Sequence, residues 1–134
     1  MNITPKQRWV VCGIYAAGIM GLSLMPARAL AGAPEWFPQQ DKLLHALMYG
    51  GWAIVLSWAL QRQILSRPTV WITSIVAIAT VYGALMEVFQ ALCAWAARTF
   101  SWGDLLANLV GAILGIGLLI TFRRSNAGYA RNPI

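Results

Sequence analysis

Apolar and polar residues fall along the chain in long blocks. Four mainly apolar runs, Trp9–Met25, Leu43–Leu60, Val70–Ala97 and Leu105–Phe122, are separated by stretches that carry most of the charged and proline residues. A helix needs about 20 such residues, within a range of about 17 to 25, to cross the hydrocarbon core of a bilayer. Each run therefore predicts a membrane-spanning helix, and the long third one predicts tilt or a protruding outer end. Pro26 closes the first run, Pro68 precedes the third, and Asp41 and Asp104 stand where N-caps of the second and fourth helices would sit. Trp9, Trp36, Trp71, Trp95 and Trp102 lie near these ends, as an interfacial aromatic belt would place them. Residues 123–134, RRSNAGYARNPI, read as a polar tail.

Composition agrees with this pattern. Hydrophobic residues make up 59% of the chain and charged ones 10%, where a soluble domain carries about 25% charged residues. The expectation is one all-α membrane domain over residues 1–134, a bundle of four transmembrane helices. The net charge of +6 does not indicate nucleic acid, because the basic residues flank apolar runs and no binding motif accompanies them. Cys12 and Cys93 lie in different runs without metal or redox spacing, so they read as buried free thiols. No cofactor or metal is assigned.

Residues 1–31 also fit a cleaved signal peptide, with Lys6 and Arg8 as its basic start and Ala29-Leu30-Ala31 imitating a cleavage site. The 17-residue run from Trp9 to Met25 is longer than a usual signal core, and three more spans follow, which favours a retained helix.

The basic residues set the orientation. With the N-terminus in the cytoplasm, that side holds Lys6, Arg8, Arg62, Arg67, Arg123, Arg124 and Arg131 and no acid. The opposite side receives Arg28, Lys42 and Arg98, all four acids (Glu35, Asp41, Glu87, Asp104) and the one histidine, His45. This predicts an N-in, C-in membrane protein, with residues 123–134 cytoplasmic.

Depth follows from the rise of about 1.5 Å per helical residue. His45 is expected about one turn below the outer end of the second helix and Tyr49 about two. Gln90 and Glu87 fall about 10 and 15 Å inward if the third helix continues to Ala97. Asn108 is expected one turn below Asp104. Asp41 and His45, Glu87 and Gln90, and Asp104 and Asn108 each share a helix face by spacing. Pointing these pairs at one another forms a polar pocket open to the outer side. Bland readings stand beside this one: Asp41 and Asp104 as N-caps, His45 as a satisfied core histidine, Gln90 and Asn108 as interhelical glue, and Arg98 as a snorkelling cation. Glu87 fits them least, because acids inside a bilayer are rare and functional by default, although pairing with His45 or Arg98 could serve packing alone. Ala107, Gly111 and Gly115 are small-xxx-small steps expected to pack a neighbouring helix.

DKLLHALMY (Asp41–Tyr49), GALMEVFQ (Gly83–Gln90) and RTFSWGDLLANLVGAILG (Arg98–Gly115), in this order, resemble the VanZ-like family of small bacterial membrane proteins. The similarity covers about residues 9 to 122. It implies a four-helix membrane protein with a link to the cell envelope and, through the family's namesake, to glycopeptide resistance. An acyltransferase-type label attached to some relatives has no nucleophile motif or coenzyme domain behind it here.

Three functions remain open. In the first, an outward pocket of Asp41, Lys42, His45, Tyr49, Glu87, Gln90, Arg98, Asp104 and Asn108 binds an anionic envelope component, such as a lipid-linked glycan or peptidoglycan precursor, with Lys42 and Arg98 as its cations. In the second, Glu87 and His45 are the general acid and base of an intramembrane enzyme, or less favourably metal ligands with Asp41 or Asp104. In the third, the chain is a structural subunit beside a membrane-protein partner or a second copy of itself. Membrane lipids are partners in all three.

Overall fold

The structure is a computed structural model and describes residues 3–30, 34, 36–93 and 99–131. Among these residues every regular element is a helix: α1 (Pro5–Ser23), α2 (Ala27–Leu30), α3 (Gln40–Ala59), α4 (Gln61–Ser66), α5 (Pro68–Leu92) and α6 (Trp102–Arg131). Each of the four long helices overlaps one of the four apolar runs. Within the described residues α5 and the Trp102–Arg123 part of α6 are long and apolar enough to cross a membrane. The polar heads of α1 and α3, with Lys6 and Arg8 in one and Asp41, Lys42 and His45 in the other, make those two helices less apolar overall.

The helix boundaries have local causes. Thr4 and Gln7 form a capping box around α1, with Thr4 N donating to Gln7 Oε1 at 2.7 Å, and Pro5 occupies the first turn, where no amide hydrogen is needed. Pro68 plays the same part in α5. The two aspartates expected as N-caps lie inside their helices instead. The residue preceding α3 is Gln39, in a left-handed conformation (φ 64°) and without a side-chain cap, so Asp41 sits in the first turn. At α6 the capping oxygen is Ser101 Oγ, which accepts from Asp104 N at 3.2 Å, because the helix starts two residues ahead of Asp104. At the other end α5 stops at Leu92, where Cys93 turns extended, rather than running to Ala97. The stretch read as a polar tail continues α6 as helix to Arg131.

The closest packing joins α3 to α6. A Cβ placed on Gly111 would collide with the backbone of Ala46, one on Gly115 with the carbonyl oxygen of Gly50, and one on Gly50 would come within 2.8 Å of the Gly111 carbonyl oxygen. Glycine at these positions lets the two backbones touch. The apolar core beside this seam contains Tyr49, Trp52, Ala53 and Leu56 of α3, Ile75, Ala79 and Met86 of α5, and Ala112 and Ile116 of α6.

Helix α1 belongs to the same bundle. Its Cys12 and Ile19 are buried in the core. Tyr15 donates to the Met48 carbonyl oxygen at 3.2 Å, Tyr82 donates to that of Ala16 at 2.7 Å, and the Arg8 guanidinium lies 5.2 Å from the Trp58 ring centroid. Outside, the bundle presents Val10, Ile14, Leu44, Leu47, Val81, Val88, Leu106, Ile113 and Leu118. Inside, it buries His45, Glu87, Gln90, Asp104 and Asn108. A polar interior under an apolar coat is the distribution a bilayer imposes.

Candidate functional site

The site lies at the end of the bundle where α3 and α6 begin and α5 ends. His45 on α3, Glu87 on α5, and Asp104 and Asn108 on α6 come together there, each at most 5% exposed. His45 Nδ1 is 3.0 Å from Asn108 Oδ1 and 4.0 Å from Glu87 Oε1, while its Nε2 is 3.9 Å from Asp104 Oδ2. A carbonyl oxygen only accepts, so the 3.0 Å contact places the imidazole proton on Nδ1. The other polar atoms of the acids are held from outside the cluster. Ser101 N donates to Glu87 Oε2 at 3.0 Å, and Lys42 Nζ donates to Asp104 Oδ1 at 3.2 Å.

Lys42 also bonds Asp41 Oδ2 at 3.2 Å, forming a partly exposed rim to the buried cluster. These two residues precede the apolar run that begins at Leu43. Burial pushes the Asp41 carboxyl up, but hydrogen bonding and charge from Lys42 outweigh this and hold it below its usual range. Hydrogen bonds to Asp41 and Asp104 hold the Lys42 ammonium above its own.

Tyr49 and Gln90 are buried beside the cluster. The Tyr49 ring is parallel to that of His45, with centroids 6.4 Å apart. Gln90 turns toward α1 and donates to the Ser23 carbonyl oxygen at 2.8 Å, joining α5 to the last turn of α1. Gly111 and Gly115 lie along the α3–α6 seam, and Ala107 is half-buried one turn before Gly111. Arg98, Trp95 and Glu35 lie outside the described residues.

A cavity of about 300 Å³ opens beside the cluster, between the end of α1 and the start of α3. Leu22, Met25, Leu44 and Met48 give it an apolar wall, and Ser23, Asp41 and His45 give it a polar end. His45 therefore contributes both to the buried cluster and to the cavity.

Three contributors to this end of the protein are not among the residues that the spacing of polar positions singles out. Ser101 caps α6 and binds Glu87 through its amide. Its signal is Ser-x-x-Asp ahead of an apolar run, a capping-box pattern. Gly83 makes room for Asn108, since a Cβ there would lie 2.6 Å from Nδ2. Gly103 does the same for Lys42, with 2.7 Å to Cε. The need for either glycine emerges only once the helices are paired.

The family profile described as VanZ/LLP1 matches residues 6–123. No curated protein and no solved structure matches the chain.

Proposed function

The chain belongs to the VanZ/LLP1 family, and we propose that it is a four-span, N-in, C-in inner-membrane protein that binds or handles an anionic, lipid-linked component of the cell envelope. The family and the two strongly apolar helices mark a membrane protein. The four spans rest on the agreement between the long helices and the apolar runs, and the orientation rests on the placement of the basic residues. In this orientation the cluster of His45, Glu87, Asp104 and Asn108 lies toward the outer leaflet.

The observation that carries the ligand class is the position of His45 at the polar end of a cavity whose other wall is apolar. Such a cavity suits an amphipathic molecule, with the hydrocarbon chain against Leu22, Leu44 and Met48 and the head group at Ser23 and His45. Lys42, about one third exposed at the rim of the buried cluster and next to the cavity residue Asp41, can exchange a carboxylate partner for a phosphate of the head group. Native mass spectrometry of the protein extracted gently from its own membranes tests this reading. A bound lipid retained by the wild type and lost in Leu44→Trp, at a residue lining the cavity, supports it, and a wild type that carries no lipid overturns it.

A second reading is favoured by the 4.0 Å separation of His45 Nδ1 and Glu87 Oε1, which sets a buried imidazole beside a buried carboxyl group. In that reading the pair transfers protons to and from the bound lipid. Turnover of a lipid-linked substrate that disappears in Glu87→Gln would favour it, and no turnover over a broad panel of such substrates would count against it.

A further inference from the structure

Three side chains able to ligate a metal reach one point from three helices. His45 of α3, Glu87 of α5 and Asp104 of α6 each offer one ligand atom, and these atoms lie within 4.8 Å of one another. Donors about 2.1 Å from a first-row cation sit about 3 to 3.5 Å apart around it, so atoms as far apart as 4.8 Å need to close by about 1.3 to 1.8 Å.

The surrounding contacts hold the three groups as metal ligands are usually held. Asn108 Oδ1 occupies the Nδ1 side of His45 at 3.0 Å. Ser101 N holds Oε2 of Glu87 at 3.0 Å, and Lys42 Nζ holds Oδ1 of Asp104 at 3.2 Å. In each residue one polar atom bonds a residue other than these three; among the three, His45 Nε2 lies 3.9 Å from Asp104 Oδ2 and Glu87 Oε1 lies 4.0 Å from the Nδ1 side of the ring. A ligating histidine characteristically donates its other ring N–H to a carbonyl or carboxylate, and ligating carboxylates are themselves hydrogen-bonded. Two carboxylates with at most 5% exposure also concentrate negative charge that a divalent ion would neutralise in place.

We propose that His45, Glu87 and Asp104 bind one divalent first-row cation, with Asn108 holding the Nδ1 side of the imidazole and the Glu87 carboxyl moving toward Nε2 as the three groups close on the ion. One imidazole and two carboxylates suit Zn²⁺ or Mn²⁺ better than Ca²⁺ or Mg²⁺, which favour oxygen ligands throughout. Three protein ligands leave a coordination position open. A phosphate oxygen of the bound lipid would take that position, an extension that rests on the lipid reading, whereas the metal site does not.

The test uses the full-length chain, delipidated in detergent and stripped with a chelator, so that lipid retention plays no part. Titration with Zn²⁺ alone and, separately, with Mn²⁺ alone is expected to show one ion per chain for at least one of them. Pulsed electron paramagnetic resonance of the Mn²⁺-loaded wild type should then show coupling to a single imidazole nitrogen, and His45 is the one histidine in the chain. Asp104→Asn should weaken binding by about 100-fold or more, and Asn108→Ala by about 10- to 100-fold. The wild-type measurements decide the matter even if a variant fails to fold. Absence of stoichiometric binding by either ion, or stoichiometric binding without imidazole coupling, overturns the proposal.

Discussion

His45 and Asn108 meet across the α3–α6 seam, Nδ1 to Oδ1 at 3.0 Å, with both side chains buried. Burial keeps bulk solvent from replacing either partner, so each depends on this contact for satisfaction. Asn108→Leu should therefore lower stability by about 1 to 2 kcal/mol, near the upper range for interhelical hydrogen bonds in membranes. Equilibrium unfolding in detergent measures the loss. Nitrogen chemical shifts of His45 should also show a changed tautomer ratio, and an unaltered ratio would mean that Asn108 does not set the ring proton.

The glycines of α6 should separate by position. Gly111→Ala forces a methyl group into the backbone of Ala46 and should cost about 1 to 3 kcal/mol. Nothing lies within 4 Å of a Cβ on Gly117, so Gly117→Ala should be neutral or stabilising by up to about 1 kcal/mol through helix propensity. The same unfolding assay compares them, and equal effects would contradict the close α3–α6 seam.

Orientation is open to cysteine labelling in a background lacking Cys12 and Cys93. In intact cells with a permeabilised outer envelope, a membrane-impermeant thiol reagent should modify Gln39→Cys, at the polar end. On the proposed topology it should spare Ser125→Cys, near the end of α6, until the membrane holding the protein is opened. The reverse pattern would invert the topology.

Much of this arrangement is legible in the amino-acid sequence. The apolar runs locate the four long helices, and i,i+3 and i,i+4 spacing puts His45, Glu87, Asp104 and Asn108 on faces able to meet. What escapes depends on helix ends and on partners distant in sequence. The apolar residues after Leu92 match the preceding ones in hydropathy, so the run cannot reveal that α5 stops there. Consequently Glu87 lies only five residues, or about 7.5 Å of helix, from the end of α5, nearer to it than a helix reaching Ala97 would place it. Gln90 shares a face with Glu87, yet its amide reaches the end of α1. Spacing within one helix cannot show which neighbour a long side chain will choose. The polar cluster is also more deeply buried than an open pocket, with the roomier space displaced to the α1–α3 side of His45.

The central claim is that the cavity beside His45 holds the hydrocarbon chain of an envelope lipid. Native mass spectrometry of wild type, Leu44→Trp and Leu118→Trp, each extracted gently from its own membranes, tests it most directly. Leu44 lines the cavity, whereas Leu118 is an exposed position on α6 away from it. The account predicts one bound lipid in the wild type and in Leu118→Trp, and its loss in Leu44→Trp. Equal lipid retention by all three proteins, or none in the wild type, would contradict it.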